Sequence, residues 1–458
     1  MYPKPFTRTA VAAAAGRVKY IQGRLVDRSS YRWRICALLF FATTINYLDR
    51  QVLGLLKPDL AAQFNWTETD YSYMVAVFTA CYALGLVLSG KLVDKYGVKL
   101  GYGICVLVWS VAACGHSLVR NTLGFVFMRG LLGVAESGNF PSAVKAVSEW
   151  FPRKEQALAV GILTSGTSIG AVAAPAVVPL LAASYGWQAA FWVTGMTGLV
   201  WLGFWCLMYY APHKNNRASV AELRYIMEAR ADVEEGNVSM SWLSLLRFRA
   251  TYAFVVGKLL TDPIWWFMLF WLPSYFSSRY HLDLKNLGLP LVIVYIATSI
   301  GSISGGWLSS WLIARGWDVG HARQRTMLVL AFLVVPITMS PWISSMWAMV
   351  GLLSLAAAAH QGWSANLFTT ASDMFPKKFV GSVVGIGGMA GAIGGTLFPL
   401  FIGVLLDHFK ALGNINAGYN ILFIVCGSAY LVAWALMSFI RPSKGDLTFD
   451  AFSANSSI

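Results

Sequence analysis

This sequence predicts an all-α membrane protein of twelve spanning helices in two six-helix halves, and three observations carry the prediction. Hydrophobic residues make up 57% and charged residues 12% of the 458 positions, against roughly 45–50% and 25% in an ordinary soluble domain. Windows of about 20 mostly apolar residues, the length that crosses a bilayer as a helix, recur twelve times along the chain. A segment from the first half also returns 224 residues later. The net charge of +14 would suit a nucleic-acid binder, but so apolar a chain has too little polar surface for one. No nucleic-acid partner is expected, and the basic excess calls for a topological explanation.

In order, the expected spans are 34–56, 71–92, 100–118, 122–147, 157–181, 188–210, 251–273, 288–313, 326–343, 347–371, 380–405 and 419–440. They sort into an N-terminal half (34–210) and a C-terminal half (251–440), with a polar central loop (211–250), an N-terminal segment (1–33) and a tail (441–458). Residues 1–33 are basic and lack the apolar run of a cleavable signal peptide. With the N-terminus in the cytoplasm, segments on that side carry 26 Lys and Arg, whereas the opposite loops carry five: Lys57, Arg120, Arg279, Lys285 and Lys410. That bias is the positive-inside rule, so both termini are expected in the cytoplasm. Cys36, Cys81, Cys105, Cys114, Cys206 and Cys426 all fall in apolar stretches, which argues against a disulfide framework.

The repeat lies in Ser148-Glu-Trp-Phe-Pro-Arg-Lys with Gly161-Ile162, matched by Ser372-Asp-Met-Phe-Pro-Lys-Lys with Gly385-Ile386; Gly170 and Pro175 fall on Gly394 and Pro399. It implies two parallel six-helix halves around a central cavity. The same offset sets His360 at the position of Glu136, so these two titratable groups are expected to face each other across the cavity.

A charge at mid-bilayer costs roughly 2.5–3.5 kcal/mol and marks function by default. Span 1 holds Asn46, Asp49 and Arg50. Span 4 holds Arg129, Gly133 and Glu136 on one helical face, with the two charges about 10 Å apart along the axis. Guanidinium groups grip carboxylates and buried acids take up protons. Arg50, Arg129 and Asn46 are therefore assigned to an organic-anion substrate, and Asp49 and Glu136 to proton coupling; the alternative is that these charges are internal ion pairs fastening span 1 to span 4. Lys258 and Asp262, one turn apart ahead of Pro263, read either as an intrahelical pair or as part of a gate or binding site. Glycines in span 5 (Gly161, Gly166, Gly170) and span 11 (Gly381, Gly385, Gly387, Gly388, Gly391, Gly394, Gly395) suit close helix packing. Gly85-x4-Gly90-Lys91 mimics a phosphate-binding loop, but Leu92 stands where Ser or Thr is required. Nothing has metal-ligand spacing, and no cofactor, metal or enzymatic activity is expected.

Gly90-Lys-Leu-Val-Asp-Lys-Tyr-Gly-Val-Lys99 resembles the signature loop of the major facilitator superfamily, with Lys95 and Lys99 in place of arginines. The resemblance implies a gate in which Asp94, with Gly90 and Lys95, acts by charge pairing and helix capping. Asn46-Tyr-Leu-Asp-Arg50, Tyr82 and Arg129-x3-Gly133-x2-Glu136-x2-Phe140-Pro141 are similar to the anion:cation symporter family. His360-Gln-Gly-Trp-Ser-Ala-Asn-Leu-Phe-Thr-Thr-Ala-Ser-Asp-Met-Phe-Pro376 and Gly385–Gly395 resemble its hexuronate transporters. For that branch the resemblance implies proton-driven uptake of galacturonate or glucuronate across the bacterial inner membrane, with Arg50, Tyr82, Asp49 and Glu136 binding substrate and protons. Thr167 and Ala392 stand where some galactonate-type relatives use polar groups. Galactonate, glucarate or an aromatic carboxylate is the alternative cargo. Trp265, Trp266, Gln361, Trp363 and Asn366 have rings and amides that suit a sugar face and its hydroxyls; Gln361, Trp363, Asn366 and His360 are counted as substrate-binding. The protein is expected to act as a monomer.

Overall fold

The computed structural model describes residues 31–231, 242–283, 285–375 and 377–440, and the regular structure among them is helical throughout. Residues 1–30 of the N-terminal segment, 232–241 of the central loop and the tail 441–458 lie outside the described residues.

Helix α1 (Tyr31–Phe64) ends at Asn65, which adopts a left-handed φ of 53°. Helix α2 (Glu68–His116) starts from a capping box: the Thr67 hydroxyl accepts from the Asp70 N–H at 2.9 Å and the Asp70 carboxylate accepts from the Thr67 N–H at 2.9 Å. The expected second and third spans are joined in α2 across a break at Gly97, whose φ of 79° and ψ of 165° are tolerated by glycine alone. The expected fourth span is two helices, α3 (Thr122–Glu136) and α4 (Asn139–Trp150). They part at Gly138, where a Cβ would overlap the Cys105 side chain.

Helices α5 (Arg153–Tyr185) and α6 (Trp187–Met208) follow. The central loop is partly folded, into α7 (Val220–Ala231) and α8 (Trp242–Leu245). Glu222 of α7 accepts from the backbone N–H groups of Tyr31 and Arg32 (3.2 and 3.1 Å) and from the Arg32 guanidinium (3.0 Å). A carboxylate thus caps the start of α1, where the exposed N–H groups attract negative charge. Then come α9 (Arg249–Tyr280), α10 (Gly288–Ala314), α11 (Val319–Val334), α12 (Met346–Met374), α13 (Lys377–Ala411) and α14 (Ile415–Ile440). Pro336 and Pro341 turn the end of α11 into a 3₁₀ stretch, Val335–Trp342.

Among the described residues, eight stretches are long and apolar enough to cross a membrane: Leu88–His116, Leu158–Tyr185, Trp187–Met208, Arg249–Tyr280, Gly288–Ala314, Val319–Trp342, Ser382–Ala411 and Ile415–Ile440. The other four expected spans fall in α1, the first part of α2, α3 with α4, and α12. These segments carry interior polar groups such as Asn46, Asp49, Arg50, Thr79, Arg129, Glu136, His360 and Asn366, all buried. Their lower hydropathy therefore reflects what they hold inside. Large apolar side chains point outward instead, among them Leu123, Phe127, Ile303, Trp342 and Phe439. That inside-out distribution suits a lipid surround and would aggregate in water.

Packing recurs in matched pairs. Helix α1 lies on α5 as α9 lies on α13, and α2 lies on α3 as α10 lies on α12. Gly166 and Gly170 admit the α1 backbone, and Gly394 admits the Leu259 carbonyl of α9, whereas Gly161 and Gly388 face open space. The two sets join through α2 with α13, α5 with α10 and α1 with α9. At the end of the bundle that carries residues 57–79 these joints are tight. The Asp407 carboxylate accepts from the N–H groups of Glu68 and Thr69 (both 2.8 Å), the Tyr71 hydroxyl donates to the Phe270 carbonyl (2.9 Å) and the Thr79 hydroxyl donates to the Gly395 carbonyl (3.0 Å). Lys57, expected in a loop, lies within α1, buried and paired with Glu68 at 2.5 Å.

Candidate functional site

Four buried charges converge where α1 crosses α3. The seven-residue spacing of Arg129 and Glu136 keeps both on the face of α3 that meets α1 and α2, and Gly133 between them lets the Phe78 carbonyl of α2 approach. Arg50 Nε donates to Glu136 Oε2 at 2.9 Å, and Arg50 Nη2 donates to Asn46 Oδ1 at 3.3 Å. Arg129 Nη1 donates to the Arg50 carbonyl at 3.2 Å, so this guanidinium is anchored on the α1 main chain while its Nε is buried with no hydrogen-bond partner.

Asp49 is 2% exposed, and neither of its carboxylate oxygens accepts a well-aligned hydrogen bond. The Thr194 hydroxyl of α6 lies close enough to act on it as a donor, and Arg129 and Glu136 are within its electrostatic reach. Glu136 keeps one oxygen on Arg50 and leaves Oε1 unpartnered. Orphaned buried oxygens of this kind are costly unless something binds them; a proton does so for a carboxylate.

Arg50 is enclosed by rings. Its Cζ lies 4.7 Å from the Tyr47 ring centre, 5.0 Å from Tyr82, 5.3 Å from Trp266 and 5.5 Å from Phe78. Such faces hold a guanidinium by cation–π attraction while leaving its N–H groups for an anion. Sequence reasoning singled out Tyr82 and Trp266 and missed Tyr47 and Phe78. The available signal was helical spacing, Tyr47 three residues from Arg50 and Phe78 four from Tyr82.

The α12 residues sit elsewhere. His360 stacks on Trp265 of α9 (5.3 Å, 5° between planes), and its Nδ1 is 2.6 Å from the Tyr430 hydroxyl of α14. No hydrogen bond, ion pair or ring contact joins it to Glu136. Trp363 is fully buried edge-on against Tyr430, and Asn366 Nδ2 donates to the carbonyls of Gly305 and Gly362, both at 2.9 Å, tying α12 to α10. Gln361, beside them, is half-buried. In α9, Lys258 Nζ pairs with Asp262 Oδ2 at 2.5 Å. Thr167 is bonded within its own helix and Ala392 is buried.

Beside the Gly97 break in the middle of α2, Asp94 pairs with Lys145 of α4 at 2.5 Å on an exposed surface. Lys95 extends over Tyr96, and Gly90 faces open space. In the second set of helices, Arg323 of α11 links Asp373 of α12 (3.1 Å) to the Ser309 hydroxyl of α10 (2.6 Å). The described residues contain no group of His, Cys, Asp and Glu that could hold a metal.

A family model for the Major Facilitator Superfamily matches residues 39–399. The chain belongs to that superfamily. Its members are membrane transporters and not enzymes, and the chain is a multi-pass membrane protein with their all-helical fold. It is 30% identical to the "Hexuronate transporter" of Escherichia coli (strain K12) over 413 residues, 89% of this chain and 94% of that one. It is 32% identical to the "Galacturonate transporter" of Dickeya chrysanthemi over 279 residues, 60% and 81% respectively. Among solved structures, a bacterial homologue of the human lysosomal transporter Spinster superposes with a TM-score of 0.73 over 91% of this chain and 99% of that one, at 16% identity. That last likeness is one of fold.

Proposed function

We propose that this superfamily member is a proton-coupled symporter that imports a monoanionic sugar acid, a hexuronate such as galacturonate or glucuronate, by alternating access between two six-helix halves of a twelve-span bundle. The bacterial inner membrane with both termini cytoplasmic is the setting we assign. The observation that carries the reading is the Arg50–Glu136 pair, buried inside an aromatic cage beside an unpartnered Asp49.

With both acids ionised, Asp49 and Glu136 balance Arg50 and Arg129, and an anion would find no net attraction. Protonating Glu136 removes the partner of Arg50 and leaves one positive charge, which a carboxylate neutralises through the paired N–H donors of the guanidinium. Proton and anion are then each favoured by the other's presence, which is the thermodynamic condition for coupling. A second proton, on Asp49, would make the cycle electrogenic and add about 2.3 kcal/mol per 100 mV. The names of the relatives support the substrate class.

Uptake of labelled galacturonate into proteoliposomes under an inward pH gradient tests the reading. Accumulation that collapses with an uncoupler and is competed by glucuronate is expected. Uptake of galactonate, glucarate or an aromatic carboxylate in its place would move the assignment to another organic anion, and uptake indifferent to the uncoupler would remove proton coupling.

A further inference from the structure

Lys258, Asp262, Trp266 and Phe270 recur every four residues along α9 and so form one stripe. Its Phe270 end packs against Phe78, and Trp266 stands over Arg50 (5.3 Å) and edge-on to Tyr82 (6.4 Å). The stripe therefore faces the charged cluster of α1 and α3. One turn from Trp266, about 6 Å along the axis, Asp262 comes within electrostatic reach of Tyr47, the residue beneath Arg50. Its carboxylate rests against Gly391 of α13, with Cγ 3.0 Å from where a Cβ would stand. Lys258 is buried over the Phe368 ring (4.6 Å) and bonded to Asp262, whose side chain keeps 20% exposure. An acid and a base thus sit one aromatic ring away from the carboxylate-binding arginine.

We propose that Lys258 and Asp262 read the end of the sugar acid opposite its carboxylate, accepting a hydroxyl there and rejecting a second carboxylate. This deepens the sugar-acid reading above and rests on it. With the carboxylate on Arg50 and the sugar face on Trp266, the far end of the molecule meets Asp262 and Lys258. A neutral pair offers an ammonium donor beside a carboxylate acceptor, and a hydroxyl uses both. A dicarboxylic sugar acid brings a second negative charge against Asp262 while Lys258 is already neutralised, and such like-charge juxtaposition is how sites exclude close analogues. Asp262 is thereby the discriminating residue, and Lys258 holds its charge in place.

The test is exchange of labelled galacturonate in proteoliposomes of the full chain, competed by glucuronate, by galactarate and by the 1-O-methyl glycoside of galacturonate. In the wild type, galactarate is expected to compete roughly tenfold or more weakly than glucuronate, and the methyl glycoside several-fold more weakly than galacturonate because it has no hydroxyl to donate to Asp262. Asp262→Asn exposes an unneutralised ammonium and is expected to cut the bias against galactarate about tenfold; Lys258→Gln with Asp262→Asn removes both charges and is expected to leave a bias between those of the wild type and the single variant. Equal competition by galactarate and glucuronate in the wild type overturns the proposal. So does an unchanged ratio in a folded Asp262→Asn protein. Full potency of the methyl glycoside, a wild-type measurement independent of any variant's folding, does the same. Absence of any galacturonate exchange in the wild type defeats instead the sugar-acid reading on which the proposal stands.

Discussion

The interior where α1 meets α3 and the interior where α9 meets α12 occupy matching places in a repeated packing pattern, yet they hold different chemistry. The first carries two guanidinium groups and two carboxylates, one of them with both oxygens orphaned. The second carries one Lys–Asp pair, the imidazole of His360 stacked on Trp265, and the Asn366 amide, whose Nδ2 is bonded to α10. A repeat conserves helix geometry, since that is what buries the chain, but it places no demand on what the helices enclose. Buried charge is concentrated on one side, and the other is built mainly of rings, an amide and a single ion pair.

Substitutions on each side can break this contrast. The largest effect is expected from Arg50→Ala, which removes the only caged guanidinium bonded to Glu136 among the described residues and leaves that carboxylate buried alone. Binding of sugar acid, read by isothermal titration or scintillation proximity, should fall at least about 30-fold, since truncating one partner of a buried charged pair costs roughly 2–5 kcal/mol. Glu136→Gln comes next: counterflow exchange should persist while accumulation under a pH gradient falls to equilibration. Wild-type accumulation by that variant would take Glu136 out of coupling.

On the opposite side, His360→Phe keeps the stack on Trp265 and loses the bond to Tyr430. We expect transport within a few-fold of wild type and a loss of about 1 kcal/mol of stability, seen as a lower melting temperature; abolished transport would give α12 a direct part in the chemistry. Asp407→Ala should loosen the joint between α2 and α13 by about 1 kcal/mol, the usual worth of a helix N-terminal acceptor. Thiol labelling of a cysteine introduced near Thr69 should then rise. The smallest change in transport is expected from Gly97→Ala, which strains a backbone at φ 79° and ψ 165° by roughly 1–3 kcal/mol and should lower expression more than activity.

That spans 1 and 4 hold buried charges was legible because Asp49, Arg50, Arg129 and Glu136 stand in otherwise apolar helices; that Arg50 bonds Glu136 was not. Spacing along a helix states which residues share a face, whereas which neighbour that face meets is set by tertiary packing. Arg129 therefore fell in the right cluster with an unforeseen partner, a main-chain carbonyl. The offset that paired His360 with Glu136 matched sequence positions, but Trp265 and Tyr430 hold the imidazole between α9 and α14. Asn366 was read as a sugar ligand because a mid-helix amide needs a partner; its Nδ2 finds two carbonyls of its own bundle, and its Oδ1 is left without one. The breaks at Gly97 and Gly138 left only weak marks, as glycine is common in such helices, and α7 was hidden by its charges. The four segments without a membrane-length apolar window were expected as spans, and their polar content is what the site is made from.

The Glu222 carboxylate on the N–H groups of Tyr31 and Arg32 makes the middle of the chain part of the first helix's foundation. A co-expressed pair of fragments divided ahead of Val220 would strip that cap from the fragment that needs it, whereas a division after Ala231 would leave it in place. Engineering of the connector, whether by insertion of a reporter or by fragment complementation, therefore has a natural boundary on the C-terminal side of α7.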